Sequence, residues 1–186
     1  DLEGLQQAAR TNVELFGAHH VEYIVTDCGG CGAELKKYGH HLDGDAAAGE
    51  FSGKVRDISQ ILAAHAEELR PRLKPLDLRV TWHDPCHIAH CQGVRREPRD
   101  LLKLIPGLRY AELNEADACC GSAGAYGLTR DKHEPSLEAG APLVEKIRML
   151  PPDALLVASG TSCRHQIREL AGVRPLHMAE LLALAL

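Results

Sequence analysis

The sequence predicts an α/β fold, with mostly parallel sheets flanked by helices, built from two related strand–loop–helix units of which the first is incomplete. Three observations predict it. Short strand candidates alternate with helix-length amphipathic segments, the order expected of βα units. The run ALLVAS (Ala154 to Ser159) is apolar without alternation, as in a parallel strand covered on both faces. Finally, EYIVTDCGGCGAEL and DALLVASGTSCRHQI share one layout of strand, small-residue loop, Cys and helix. At a constant offset of 132, Val25 matches Val157, Cys31 matches Cys163, and Cys28 falls opposite Gly160. Only the second unit has an upstream half, HDPC through ACCG, within the sequence. The first unit therefore reads as amino-terminally truncated.

The elements follow in order. From Leu2 to Phe16, the residues Leu2, Leu5, Ala9, Val13 and Phe16 share one helical face. VEYIV (Val21 to Val25) reads as a strand emptying into DCGGCG, and a helix is expected from Ala33 to His41. The Gly- and Ala-rich LDGDAAAGEFSGK reads as a loop. Asp57 is placed as the N-cap of a helix that turns Ile58, Ile61, Leu62, His65 and Leu69 inward and stops at Pro71. On this reading His65 is a core histidine. PRLKPLD is the linker, dividing residues 1–72 from residues 73–186. LRVTWHD alternates as a strand ending at Asp84, and LRYAEL (Leu108 to Leu113) is the next strand. Helices are expected over Pro98 to Leu104, Leu143 to Leu150, Ser162 to Leu170 and His177 to Leu186, the second placed to start near Pro142.

Composition narrows the function. With 186 residues, 45% hydrophobic and 25% charged, the chain can bury about 70% of its unfolded surface and needs no staple to fold. A net charge of −5 argues against a nucleic-acid partner, and the only compact basic cluster is Arg95, Arg96 and Arg99. No apolar run approaches the ~20 residues of a membrane span. Seven Cys and eleven His are many for this length. An odd count with two adjacent Cys, and no secretory signal at its start, fits a disulfide framework poorly. The expected setting is a reducing cytoplasm, or the inner face of the plasma membrane for a peripheral protein, where clustered Cys bind metal or do redox chemistry.

The cysteines sit where such chemistry belongs. Cys86, Cys119–Cys120 and Cys163 each follow a strand candidate. Loops at the carboxyl ends of parallel strands gather at one edge, where ligands bind. A helix N-terminus lowers a thiol's pKa, and the surrounding Gly and Ser let backbone N–H groups approach sulfur. Four buried apolar thiols would be an odd packing solution for such loops. Soft-metal binding fits them.

HDPCH…ACCGSAG…SGTSC resembles the cysteine-rich "CCG" domain found in heterodisulfide reductase, in lactate-utilisation iron–sulfur proteins and in the glycolate oxidase iron–sulfur subunit. HDPCHIAHCQGVRREPRDLLKLIPGLRYAELNEADACCGSAGAYGL and KKYGHHL look closest to the last of these. The resemblance implies that residues 1–72 are the end of a first CCG domain and residues 73–186 a second, nearly complete one. It implies an iron–sulfur cofactor, most simply a 4Fe–4S cluster, held by Cys86, Cys119, Cys120 and Cys163, with Cys28 and Cys31 as ligands in the intact parent. It also implies a flavoprotein partner oxidising a 2-hydroxy acid such as glycolate or lactate. The sequence departs from the family at Gly160, where the terminal Cys-x-x-Cys lacks its first thiol, and at Cys91, an extra Cys.

The first reading is thus a non-catalytic electron-transfer module of a larger oxidoreductase. A structural four-cysteine zinc site in a docking domain is the alternative, since zinc also takes four thiolates. Cluster-bound thiol catalysis of the heterodisulfide reductase kind is a third, weakened by the missing Cys. Cys91 reads as an ordinary thiol, and the Cys28–Cys31 loop is expected to be mobile because its neighbours belong to the missing half. His83, His87 and His90 flank the cluster loop, where an imidazole either donates to sulfur, serves as a ligand, or is satisfied by backbone or water.

Overall fold

A computed structural model describes all 186 residues. Helix α1 (Leu2–Gly17) is capped by Asp1, whose side chain accepts the Gly4 amide. Of its expected face, Ala9 and Val13 are buried, while Leu2 and Phe16 remain 65% and 40% exposed. Strand β1 is Ile24–Thr26 rather than Val21–Val25, because a turn closed by Val21 N–H on the His19 carbonyl occupies the preceding residues. The helix expected at Ala33 starts earlier and breaks in two, α2 (Gly29–Leu35) and α3 (Tyr38–His41).

The expected loop after it is wrong. Residues 46–57 form α4 (Ala46–Lys54), capped by the Asp45 carboxylate on the Ala48 amide, and β2 (Val55–Asp57). Its Gly and Ala residues hide the amphipathic signal, since the helix buries only Ala48 and Phe51. Phe51 stacks on Tyr38 with ring centroids 5.3 Å apart, so tertiary packing overrides weak propensity. Strands β1 and β2 pair in parallel, Ile24 opposite Val55.

Asp57 caps α5 (Ile58–Ala64) in a reciprocal capping box with Gln60. The helix ends at His65 and resumes as α6 (Ala66–Leu69), leaving His65 exposed and bonded to Glu68 at 3.1 Å instead of in the core. A single 3-10 turn over Arg70–Arg72 leads into the extended segment. There follow β3 (Arg79–Trp82), α7 (Cys86–Ala89), α8 (Arg96–Leu104) and β4 (Arg109–Glu112). Next come α9 (His133–Arg148), β5 (Ala154–Val157), α10 (Thr161–Ala171) and α11 (Met178–Leu184). Helix α9 begins ten residues before the expected Leu143 and runs through Pro142. Burial of Ser136, Gly140, Leu143, Val144 and Ile147 along one face outweighs the hydrogen bond that the proline lacks.

The second sheet is parallel in the order β4-β3-β5. Val80 and Trp82 point to one core, packed with Leu101, Leu102, Val157, Met178 and Leu181. The opposite face carries a second cluster, in which Leu156 packs with Leu143, Ile167, Cys120 and Cys163. Small parallel sheets flanked by helices are therefore the architecture, as expected. The repeated element is also present: α2 and α10 start at Gly29 and Thr161, 132 residues apart, with Cys28 and Gly160 as their N-caps. No helix is long and apolar enough to cross a membrane.

Candidate metal and cluster site

The carboxyl ends of β3 and β5 and the loop after β4 place Cys86, Cys119, Cys120 and Cys163 at one end of the sheet. Cys86 opens α7 directly after Pro85. Its loop is fixed by Asp84, which is 3% exposed and accepts Trp82 Nε1 at 2.6 Å and the Arg99 guanidinium at 2.9 and 2.8 Å. Burial alone would raise the Asp84 pKa, but the Arg99 and Trp82 hydrogen bonds outweigh it and hold the carboxyl below its usual range.

The Cys119–Cys120 loop depends on glycine. Gly121 has φ +82°, and a Cβ there would stand 2.0 Å from the Ser136 carbonyl oxygen. In this conformation the Gly121 amide donates to Cys119 Sγ at 3.3 Å. Gly140 of α9 is equally confined, since its Cβ would meet the Cys120 carbonyl oxygen at 2.6 Å.

Cys120 and Cys163 are both buried and share a hydrogen bond. The Cys163 thiol, together with the amides of Ser122 and Ala123, lowers the Cys120 pKa to about 7 against the opposing effect of burial. Cys163 is pushed up in turn, first by the Cys120 thiolate and then by burial. Cys86 is raised by burial and by the nearby charges of Cys120 and Cys119. All four thiols are thus electrostatic neighbours, and two already favour a thiolate–thiol pair. No group of three or more His, Cys, Asp or Glu side chains is gathered to hold a single metal ion. Gly160 has no room for a thiol: a Cβ would lie 2.6 Å from Pro85 Cβ and 3.0 Å from Cys163 Sγ.

Cys28 comes from the first unit to the same place. It lines a cavity of about 160 Å³ with Pro85, His87, Gly160, Thr161 and Cys163. Burial opposes its thiolate, but the Cys31 amide and thiol and the Thr161 hydroxyl stabilise it, leaving the pKa lowered. The loop does not lack neighbours, contrary to expectation. Gln92 Nε2 donates to the Gly29 carbonyl at 2.9 Å, and His177 Nε2 to that of Asp27 at 3.1 Å. Cys31 and Cys91 are exposed.

Of the flanking histidines, His87 Nδ1 lies 3.5 Å from Cys86 Sγ, and His90 is half-exposed beside Arg95 and Asp117. His83 stands apart. It is 1% exposed, and neither ring nitrogen has a hydrogen-bond partner. Burial pushes its pKa down to about 4, against the weaker pull of the nearby Ala116 carbonyl and then of Asp84 and Asp117. An unpaired buried donor costs about 1–3 kcal/mol, so such a group calls for an explanation. Sequence reasoning missed Asp84, Arg99 and His177, which hold the loops. The buried Trp-x-Asp alternation was the available signal for Asp84; nothing local marks the other two.

Comparison with known proteins places this geometry. The model of the family described as "CCG: Cysteine-rich domain" matches residues 3–36 and 80–168. A fumarate reductase (CoM/CoB) subunit of Methanothermobacter marburgensis is 37% identical over 172 residues, covering 87% of this chain and 32% of that protein. The probable glycolate oxidase iron-sulfur subunit of Bacillus subtilis is 32% identical, over 95% of this chain and 42% of its own length. The glycolate oxidase iron-sulfur subunit of Escherichia coli is 32% identical, over 78% and 38%. The chain spans less than half the length of each of these relatives. No solved structure matches. The chain belongs to the cysteine-rich CCG domain family.

Proposed function

We propose that this chain is an iron–sulfur electron-transfer module of a multi-subunit oxidoreductase, with Cys86, Cys119, Cys120 and Cys163 as the ligands of one 4Fe–4S cluster. The observation that carries the reading is the meeting of these four thiols, from three sequence-distant loops, with amides of Gly121, Ser122 and Ala123 turned toward their sulfurs. Thiolates are the donors such clusters take, and N–H donors to sulfur tune their potential. The donor set therefore fits. When bound, the cluster supplies one-electron redox chemistry; the chain's own residues fix the thiols, bury Cys120 and Cys163 and donate N–H groups.

The relatives are named as iron-sulfur subunits of glycolate oxidase and as part of a fumarate reductase. These names support partner subunits within one oxidoreductase; among them we place a flavoprotein, oxidising a 2-hydroxy acid of the glycolate or lactate type, as electron donor. We place the module in the cytoplasm or at the inner face of the plasma membrane. In this reading residues 1–72 end a first CCG domain and residues 73–186 form the second.

Anaerobic reconstitution with iron and sulfide tests it. The expected product is brown, contains about four iron and four sulfide per chain, and gives a paramagnetic signal on one-electron reduction. Ser in place of Cys86, Cys119, Cys120 or Cys163 should each remove or alter that signal, and Ser at Cys91 should not. One zinc without sulfide would overturn the reading in favour of a docking domain. A cluster that survives Cys163→Ser but is lost on Cys91→Ser would overturn the ligand set.

A further inference from the structure

His83 is the buried polar group that the fold leaves unexplained. The Asp84 carboxylate is satisfied by Trp82 and Arg99, and His177 uses both ring nitrogens. His83, 1% exposed, uses neither. The neighbouring Ala116 carbonyl accepts the Asp84 amide at 2.7 Å and lies close enough to favour a protonated ring, yet closes no hydrogen bond with either ring nitrogen.

Its place in the sheet says where the ring stands. Val80 and Trp82 belong to one core, so Thr81 and His83 lie on the other face of β3. The His83 amide continues the ladder by donating to the Val157 carbonyl at 3.0 Å. In the parallel register Thr81 pairs with Leu156, and partners in register share a face. Leu156 packs in one apolar cluster with Ala116, Cys120 and Cys163. The ring thus occupies the layer of the two buried candidate ligands, three residues before Cys86. A neutral imidazole always carries one N–H, and in this dry layer a sulfur-rich group is the fitting acceptor.

We infer that His83 is a positioning residue that donates its ring N–H to the sulfur of the bound cluster and raises the cluster's reduction potential. The inference rests on the cluster reading above. It explains why a histidine stands where water cannot reach it and where neither ring nitrogen closes a hydrogen bond, although the Ala116 carbonyl lies beside the ring. A hydrogen bond to cluster or thiolate sulfur draws electron density from the iron and favours the reduced state.

The test uses the full chain, reconstituted anaerobically. In protein labelled with 15N at histidine, one ring nitrogen and its exchangeable proton should show hyperfine coupling to the reduced cluster. His83→Leu should bind the same iron and sulfide, lose that coupling, and shift the potential to a more negative value. His83→Gln, which keeps an N–H donor, should recover part of the shift. If His83→Leu does not fold, the labelled wild-type chain decides alone. Absence of any coupled histidine proton overturns the inference. So does an unchanged potential in a fully loaded His83→Leu chain. A wild-type chain that takes up no iron sinks the cluster reading instead, and this inference with it.

Discussion

A single histidine gives the clearest pH signature of the apo chain. Burial pushes the folded-state pKa of His83 down to about 4, because it disfavours the imidazolium more than the Ala116 carbonyl, Asp84 and Asp117 favour it. Unfolded, it should titrate near 6.5. Above about pH 6.5 both states are neutral and no stability is lost. Between about 6.5 and 4 only the unfolded chain takes the proton, so stability falls as pH falls, by about 3 kcal/mol in all. Urea unfolding at pH 7 and pH 4.5 should show this loss, and His83→Gln should flatten it. An equally steep profile in the variant would rule His83 out as its source. Gly121 makes a second prediction at this scale. Alanine there must hold φ +82° and displace the Ser136 carbonyl, a clash with backbone that no rotamer relieves. Gly121→Ala should cost more than about 2 kcal/mol, in the range of the severe backbone effects. Thermal unfolding beside Gly124→Ala, which has a positive φ but open space, separates clash from strain.

The element that positions Cys86 is the loop from β3 to α7, and its stiffness comes from a charge pair. Asp84 is nearly fully buried between Trp82 and Arg99, while Arg99 also reaches Glu112. Asp84→Asn leaves Arg99 facing a neutral amide in a buried site and should cost about 3 kcal/mol, the loss expected on breaking a buried pair. Arg96 pairs with Asp100 on the solvent side of α8, 88% exposed, and Arg96→Ala should change stability by about 0.5 kcal/mol or less. Equal effects in the two variants would show that the Asp84 network holds nothing. Elements of this kind were legible in the sequence where burial writes a local pattern. LRVTWHD and ALLVAS announce β3 and β5, and Asp57 announces a cap. The missed elements lack such a pattern: α4 buries two side chains among Gly and Ala, and β2 is three residues long. His65 misled because a helix was extended past the residue where it breaks. The four thiols could be named from their loops, but Arg99 and Gln92 reach their partners across 15 and 63 residues, and no local window sees that.

At the scale of the whole molecule, what joins the two repeated units is a set of specific contacts around the first cysteine motif. Helix α2 packs on α7 closely enough that a Cβ on Gly29 would stand 2.6 Å from the Ile88 side chain. Gln92 holds the Gly29 carbonyl, and His177 holds that of Asp27. His177 does so with a fixed tautomer: Nδ1 accepts the Ala179 amide as the cap of α11, so the proton must be on Nε2, which donates to Asp27. Burial and then Arg164 depress its pKa, which favours the neutral form that this tautomer requires. His177→Ala removes a helix cap and a cross-unit bond together. The cap alone should cost about 1 kcal/mol, and the rest should appear as local opening at the cysteine loop. Amide hydrogen exchange at Gly29, Gly30 and Cys31 should therefore speed up severalfold, while exchange at Leu101 and Leu102 of α8 should change only with global stability. Gln92→Ala, which leaves α11 capped, should loosen the same three amides with less effect on overall stability. If both variants leave that loop as protected as in the wild type, the junction does not depend on these two side chains, and apolar packing of α2 on α7 alone holds the first cysteine motif beside the second.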